Sequence, residues 1–82
     1  MHAWLQDVAA RLSEETGLPR GDLELTPPEI EALLALAGVA AHESGARTNA
    51  PLTCYLLGLV RGRSGAPLDE LLRAAGHTSS NE

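Results

Sequence analysis

The sequence contains no phenylalanine and no lysine, a single cysteine (Cys54), and only two aromatic residues, Trp4 and Tyr55. A lone cysteine excludes an internal disulfide and fits a reducing, cytoplasmic setting. Besides the threonines, the β-branched residues are only Val8, Val39, Val60 and Ile30. With so few aromatic partners, that argues against a sheet protein. No apolar run approaches the ~18 residues a membrane span needs, so no membrane partner is expected. The opening MHAWLQDVAARL is polar and amphipathic, unlike a secretory leader. No glycine-rich phosphate loop is present, and Gly58-Leu59-Val60-Arg61-Gly62 reads as a close-packing spacing within a helix.

Charge narrows the field further. The chain carries 11 acidic and six basic residues, for a net charge of −5. The acids are concentrated in residues 1–43, which hold eight of them and two arginines. Residues 44–82 hold three acids and four arginines. An acidic chain of this kind is a poor non-specific ligand for nucleic acid. No nucleic-acid partner is expected, and Arg61, Arg63 and Arg73 read as solvated surface.

What is abundant is leucine (15 residues) and alanine (13 residues), both strong helix formers. The pattern predicts an all-α protein, a compact bundle of four short helices in a single domain over residues 1–76. Helix one, residues 2–16, places Trp4, Leu5, Val8 and Leu12 at helical spacing. Gly17 and Pro19 end it. The connector 18–25 supplies Leu18, Leu23 and Leu25 as pegs for the core. Helix two, residues 27–43, opens on Thr26-Pro27-Pro28-Glu29, a capping box with proline in the first turn. Ile30, Leu33, Leu34, Ala37 and Ala41 mark its main face, widened by Leu36, Val39 and Ala40. Gly45 is the expected stop and Asn49 the expected cap of the next helix.

Helix three, residues 50–61, carries Leu52, Tyr55, Leu56, Leu59 and Val60 as its stripe, with Cys54 and Leu57 as apolar flanks. Helices two and three are expected to form the central pair. Gly62, Ser64 and Gly65 read as a flexible break. Helix four, residues 67–75, presents Leu68, Leu71, Leu72 and Ala75. The tail 77–82 reads as disordered.

Chemistry-bearing residues are sparse. His2 and His77 lie near the ends. His42 closes helix two after Val39-Ala40-Ala41, and Arg47 lies in the loop before helix three. With Thr53 they form the candidate binding site: His42, Arg47 and Thr53 beside the loop. An anionic small molecule could meet Arg47 near a helix N-terminus. No catalytic residue, no metal site and no cofactor is expected. His42 and Glu43 are chain neighbours that point in different directions, and a metal site needs three or four ligands. Cys54 sits among leucines and reads as a small hydrophobe.

The stretch 36–59 carries a family resemblance. Its features are Ala41-His42 ending one helix, Arg47 in the loop, Ala50-Pro51-Leu52-Thr53 opening the next, then Tyr55-Leu56-Leu57-Gly58-Leu59. Trp4-Leu5 adds to it. These residues resemble an uncharacterised small helical domain of actinobacteria, found alone or attached to molybdenum cofactor guanylyltransferases. Asn49 and Cys54 depart from its pattern. The resemblance implies a bacterial accessory module linked to molybdenum cofactor metabolism. It implies no nucleotidyl transfer, because no guanylyltransferase domain is present here. Two functions remain open: a non-catalytic module that binds a protein partner or itself, and a small-molecule-binding domain using the loop between helices two and three.

Overall fold

Helix-forming composition and well-placed caps divide the chain into four helices joined by short turns. The computed structural model describes residues 2–76. The tail 77–82 and His77 lie outside the described residues. In chain order come α1 (Ala3–Thr16), a single 3₁₀ turn (Arg20–Leu23), α2 (Pro27–Ser44), α3 (Asn49–Ser64) and α4 (Leu68–Gly76). The described residues contain no strand, so the all-α class holds. The chain falls into two units, one ending at Ile30 and the other starting at Glu31.

In the first unit, local hydrogen bonds define each boundary. The Trp4 backbone N–H donates to His2 Nδ1 at 3.1 Å, so His2 caps α1. At the other end Gly17 takes φ 79° and its N–H donates to the Ser13 carbonyl at 2.8 Å. This left-handed residue closes the helix with no Cβ penalty. Ser13 Oγ donates to the Leu18 carbonyl, which folds the chain back after the helix. The 3₁₀ turn then packs against α1. It stands where a plain connector was expected. Ala9 is buried, and Leu5, Val8, Leu23 and Leu25 are half-buried.

Trp4, Leu12 and Leu18 are exposed. This corrects the expected stripe. Leu5 and Val8 of that stripe are half-buried, and the buried position of the helix is Ala9. The capping box at the start of α2 forms as expected: Thr26 N–H donates to Glu29 Oε1 at 2.8 Å, and Glu29 N–H donates to Thr26 Oγ1 at 3.3 Å.

The second unit is built around Leu36 of α2 and Leu57 of α3. Each is buried, at 5% and 6% exposure. The main helix pairing here is α3 with α4. Thr53, Leu57, Leu71 and Ala75 line one shared groove, and Thr53 and Cys54 are half-buried. The end of α4 reaches α2, where a Cβ on Gly76 would lie 3.2 Å from Leu36 Cδ1.

Several expectations are corrected here. The predicted stripe of α3 is its exposed face: Leu52 is 59% exposed, Tyr55 67% and Leu56 60%, with Leu59 and Val60 also exposed. The expected flank residue Leu57 is the one that is buried. The reason is that α3 is apolar nearly all round, with Arg61 and Arg63 its only charged residues. Periodicity therefore cannot select a face, and the short link to α4 does. For the same reason α3's chief partner is α4 rather than α2. On α2, Leu34 is 68% exposed while Leu36 takes the inner position.

Helix α3 also continues through Gly62 to Ser64, and only Gly65 (φ 73°) leaves the right-handed region. Asn49 is the helix's first residue and not its cap. Thr48 precedes it with helical φ and ψ and makes no side-chain capping bond.

Three stability measurements check this assignment by chemical denaturation. Leu57→Ala is expected to cost about 2–4 kcal/mol, as burial of a leucine at a helix contact requires. Leu34→Ala, at a position periodicity assigns to the core, is expected to stay within about 0.5 kcal/mol of the parent. Thr26→Ala removes the capping hydroxyl and is expected to cost about 1 kcal/mol.

Candidate functional site

The loop between α2 and α3 is where polar side chains gather, and helix phase decides which of them meet. At ~100° per residue, Leu36, Ala40 and Glu43 follow one line of α2. His42 lies about 200° round from Ala40. Glu43 therefore joins a groove with Leu36, Val39, Ala40, Ser44, Asn49, Thr53 and Ala75, with a volume of about 390 Å³. His42 and Arg47 do not line this groove, and both are exposed. Of the three candidates, the structure places Thr53 in the groove, half-buried in the second turn of α3. Glu43, Ser44 and Asn49 join Thr53 in place of His42 and Arg47. The i, i+4, i+7 spacing of Leu36, Ala40 and Glu43 is the signal that could have found Glu43.

The loop itself is tightly bonded. Ser44 Oγ donates to the Ala46 carbonyl at 3.2 Å and accepts from the Ala46 N–H at 3.3 Å. The His42 carbonyl accepts from Gly45 N–H at 3.3 Å, and Gly45 takes φ 75°. Asn49 N–H donates to the Ala46 carbonyl at 3.0 Å, and Ala50 N–H to the Arg47 carbonyl at 3.1 Å. Pro51 has no N–H to offer. These bonds bear on anion binding at the start of α3. A helix N-terminus holds an anion through its first-turn amides, and two of these already donate to loop carbonyls. The groove also carries the Glu43 carboxylate, which opposes an anion electrostatically.

Two further grooves are more apolar. One, of about 460 Å³, lies between α2 and α4 and is lined by Ala32, Leu36, Val39, Leu72 and Arg73, among others. The other, of about 280 Å³, lies between α3 and α4 and is lined by Thr53, Leu57, Val60 and Leu71, among others. Among the described residues no three His, Cys, Asp or Glu side chains come together in a way that could hold a metal ion. Cys54 is a free thiol, half-buried. No helix among the described residues is long and apolar enough to cross a membrane.

Residues 1–81 match a family described as a Domain of unknown function (DUF6457). The chain belongs to this family. No curated protein and no solved structure matches it. The DUF6457 match extends over both units, so the α3 surface and the α2–α3 loop alike fall within the family's span.

Exposure sets the expectation for the two candidates outside the groove. His42→Ala and Arg47→Ala are each expected to leave the fold within about 0.5 kcal/mol of the parent, a melting shift of at most ~4 °C. A scanning-calorimetry fall well beyond that would show that the side chain holds the loop.

Proposed function

We propose that this DUF6457 domain is a non-catalytic accessory module that acts by binding a protein through the exposed face of α3. The observation that carries this reading is the apolar line Leu52, Tyr55, Leu56, Leu59 and Val60, all exposed and all on one helix. A contiguous patch of exposed apolar side chains is a mark of an interaction site. Tyrosine and leucine at i, i+3, i+4 and i+7 spacing are the anchors of helix-mediated recognition. The resemblance to domains attached to molybdenum cofactor guanylyltransferases supports a bacterial cytoplasmic setting and a link to molybdenum cofactor metabolism.

A second reading keeps a specific observation in its favour. The groove that holds Glu43, Asn49 and Thr53 has a volume within the range small ligands occupy. On this reading the domain binds a small molecule beside the α2–α3 loop, with Arg47 and His42 at its margin.

The two are separated by paired assays on the full chain. A Leu52→Glu, Leu56→Glu double variant is expected to keep its helical circular dichroism and lose at least tenfold in affinity for the protein partner. The first partners to measure are purified enzymes of molybdenum cofactor synthesis, by calorimetry. Unchanged binding in the variant would overturn the α3 reading. A thermal shift with nucleotides or pterins that disappears in Arg47→Ala would favour the small-molecule reading.

A further inference from the structure

We infer that the groove beside the α2–α3 loop takes an organic ammonium, a cationic amine on a small apolar body. The inference rests on the small-molecule reading of that groove and names the class of its ligand. The charge is opposite to that of the anion the sequence suggested. Three observations point to it.

The first is a set of polar side chains without partners. Glu43 comes to the groove from the last turn of α2, and Asn49 and Thr53 from the first two turns of α3. Asn49 and Thr53 stand one turn apart, so they share a face of the helix. Both are half-buried. None of the three side chains hydrogen-bonds or ion-pairs with another described residue. Thr16 and Ser64, by contrast, each donate to the carbonyl four residues back at 2.7 Å. The Thr53 hydroxyl makes no such bond, and a polar group withdrawn from water costs free energy until something bonds to it.

The second is charge. Among the residues that line the groove, Glu43 alone is ionisable. Its carboxylate sits at the carbonyl end of α2, where the helix dipole disfavours an anion and favours a cation. A neutral ligand would cover the carboxylate without replacing its lost hydration, and an anion would be repelled. A metal ion needs three or four ligands, and no such cluster of His, Cys, Asp or Glu exists among the described residues. A primary ammonium instead offers three N–H donors. Glu43, Asn49 and Thr53 offer a carboxylate, an amide oxygen and a hydroxyl oxygen to accept them.

The third is the wall. Leu36, Val39, Ala40 and Ala75 make the rest of the groove apolar. Its volume of about 390 Å³ is near the lower end of the range for small-ligand sites. A ligand with an apolar body on this wall and its charge at Glu43 uses both halves of the lining. The whole groove lies within the second unit.

An isotope-edited NMR titration of the full chain tests this, with phenethylamine as the probe. Phenylpropionate and phenethyl alcohol serve as its anionic and neutral counterparts. The amine is expected to bind with Kd on the order of 1 mM, as suits a fragment-sized ligand. Its shifts are expected at Glu43, Asn49, Thr53 and Ala75. Both counterparts are expected to bind at least fivefold more weakly. Glu43→Gln, at an exposed position, is expected to keep the fold and to weaken the amine at least fivefold. Arg47→Ala is expected to leave amine affinity within twofold. Equal binding of the anion, or an amine affinity unchanged in Glu43→Gln, overturns the ammonium class. Shifts spread over the acidic residues of α1 overturn it too, because they show attraction to net charge alone. If nucleotides or pterins occupy the groove and the amine does not, the ligand class falls and the small-molecule reading stands. If neither binds, both fall.

Discussion

The packing of Leu57 against α4 fixes which way α3 faces, and most of the second unit follows from that. Burying one leucine at a helix contact is worth a few kcal/mol, a large share of what a domain of this size possesses. Once Leu57 and Thr53 turn toward α4, with Leu56 and Val60 on the same groove, the helical repeat sends Leu52, Tyr55 and Leu59 the other way. The outward placement of these three large side chains is thus the geometric consequence of one inward leucine on a helix that is apolar on both sides.

That consequence bears on function. A small chain has little interior to spend its leucines on. Here the buried set among the described residues is Ala9, Leu36 and Leu57, two of them leucine, although the sequence holds 15 leucines. Such a surplus raises the solvation cost of the free chain and lowers the cost of association. The groove beside the α2–α3 loop contains a single carboxylate, Glu43, and its Ser44 hydroxyl is already bonded within the loop.

How much of this was legible in the sequence depends on whether the signal is local. The capping box at Thr26 and Glu29, the left-handed glycines 17 and 45, and the four helices follow from chemistry within a few residues, and all stand in the structure. The faces of α1 and α3 were not legible in the same way. On α1 the large Trp4 and Leu12 are exposed and the small Ala9 is buried, an order that side-chain hydrophobicity does not record. On α3 both lines are apolar, and only the short turn Gly65-Ala66-Pro67 into α4 decides between them. The candidate site residues are separated for a related reason. His42, Arg47 and Thr53 are near one another along the chain, but helix phase puts Glu43 rather than His42 on the Thr53 side.

The two uses of glycine show how one residue type can serve separate ends. At Gly17, Gly45 and Gly65 a positive φ ends a helix, and any side chain would be strained there. Gly58 and Gly62 are helical, have φ in the ordinary range, and lie open to solvent. In such places glycine costs about 1 kcal/mol relative to alanine, with no backbone geometry requiring it. Helix α3, which holds both glycines, also leaves Leu52 and Leu59 exposed.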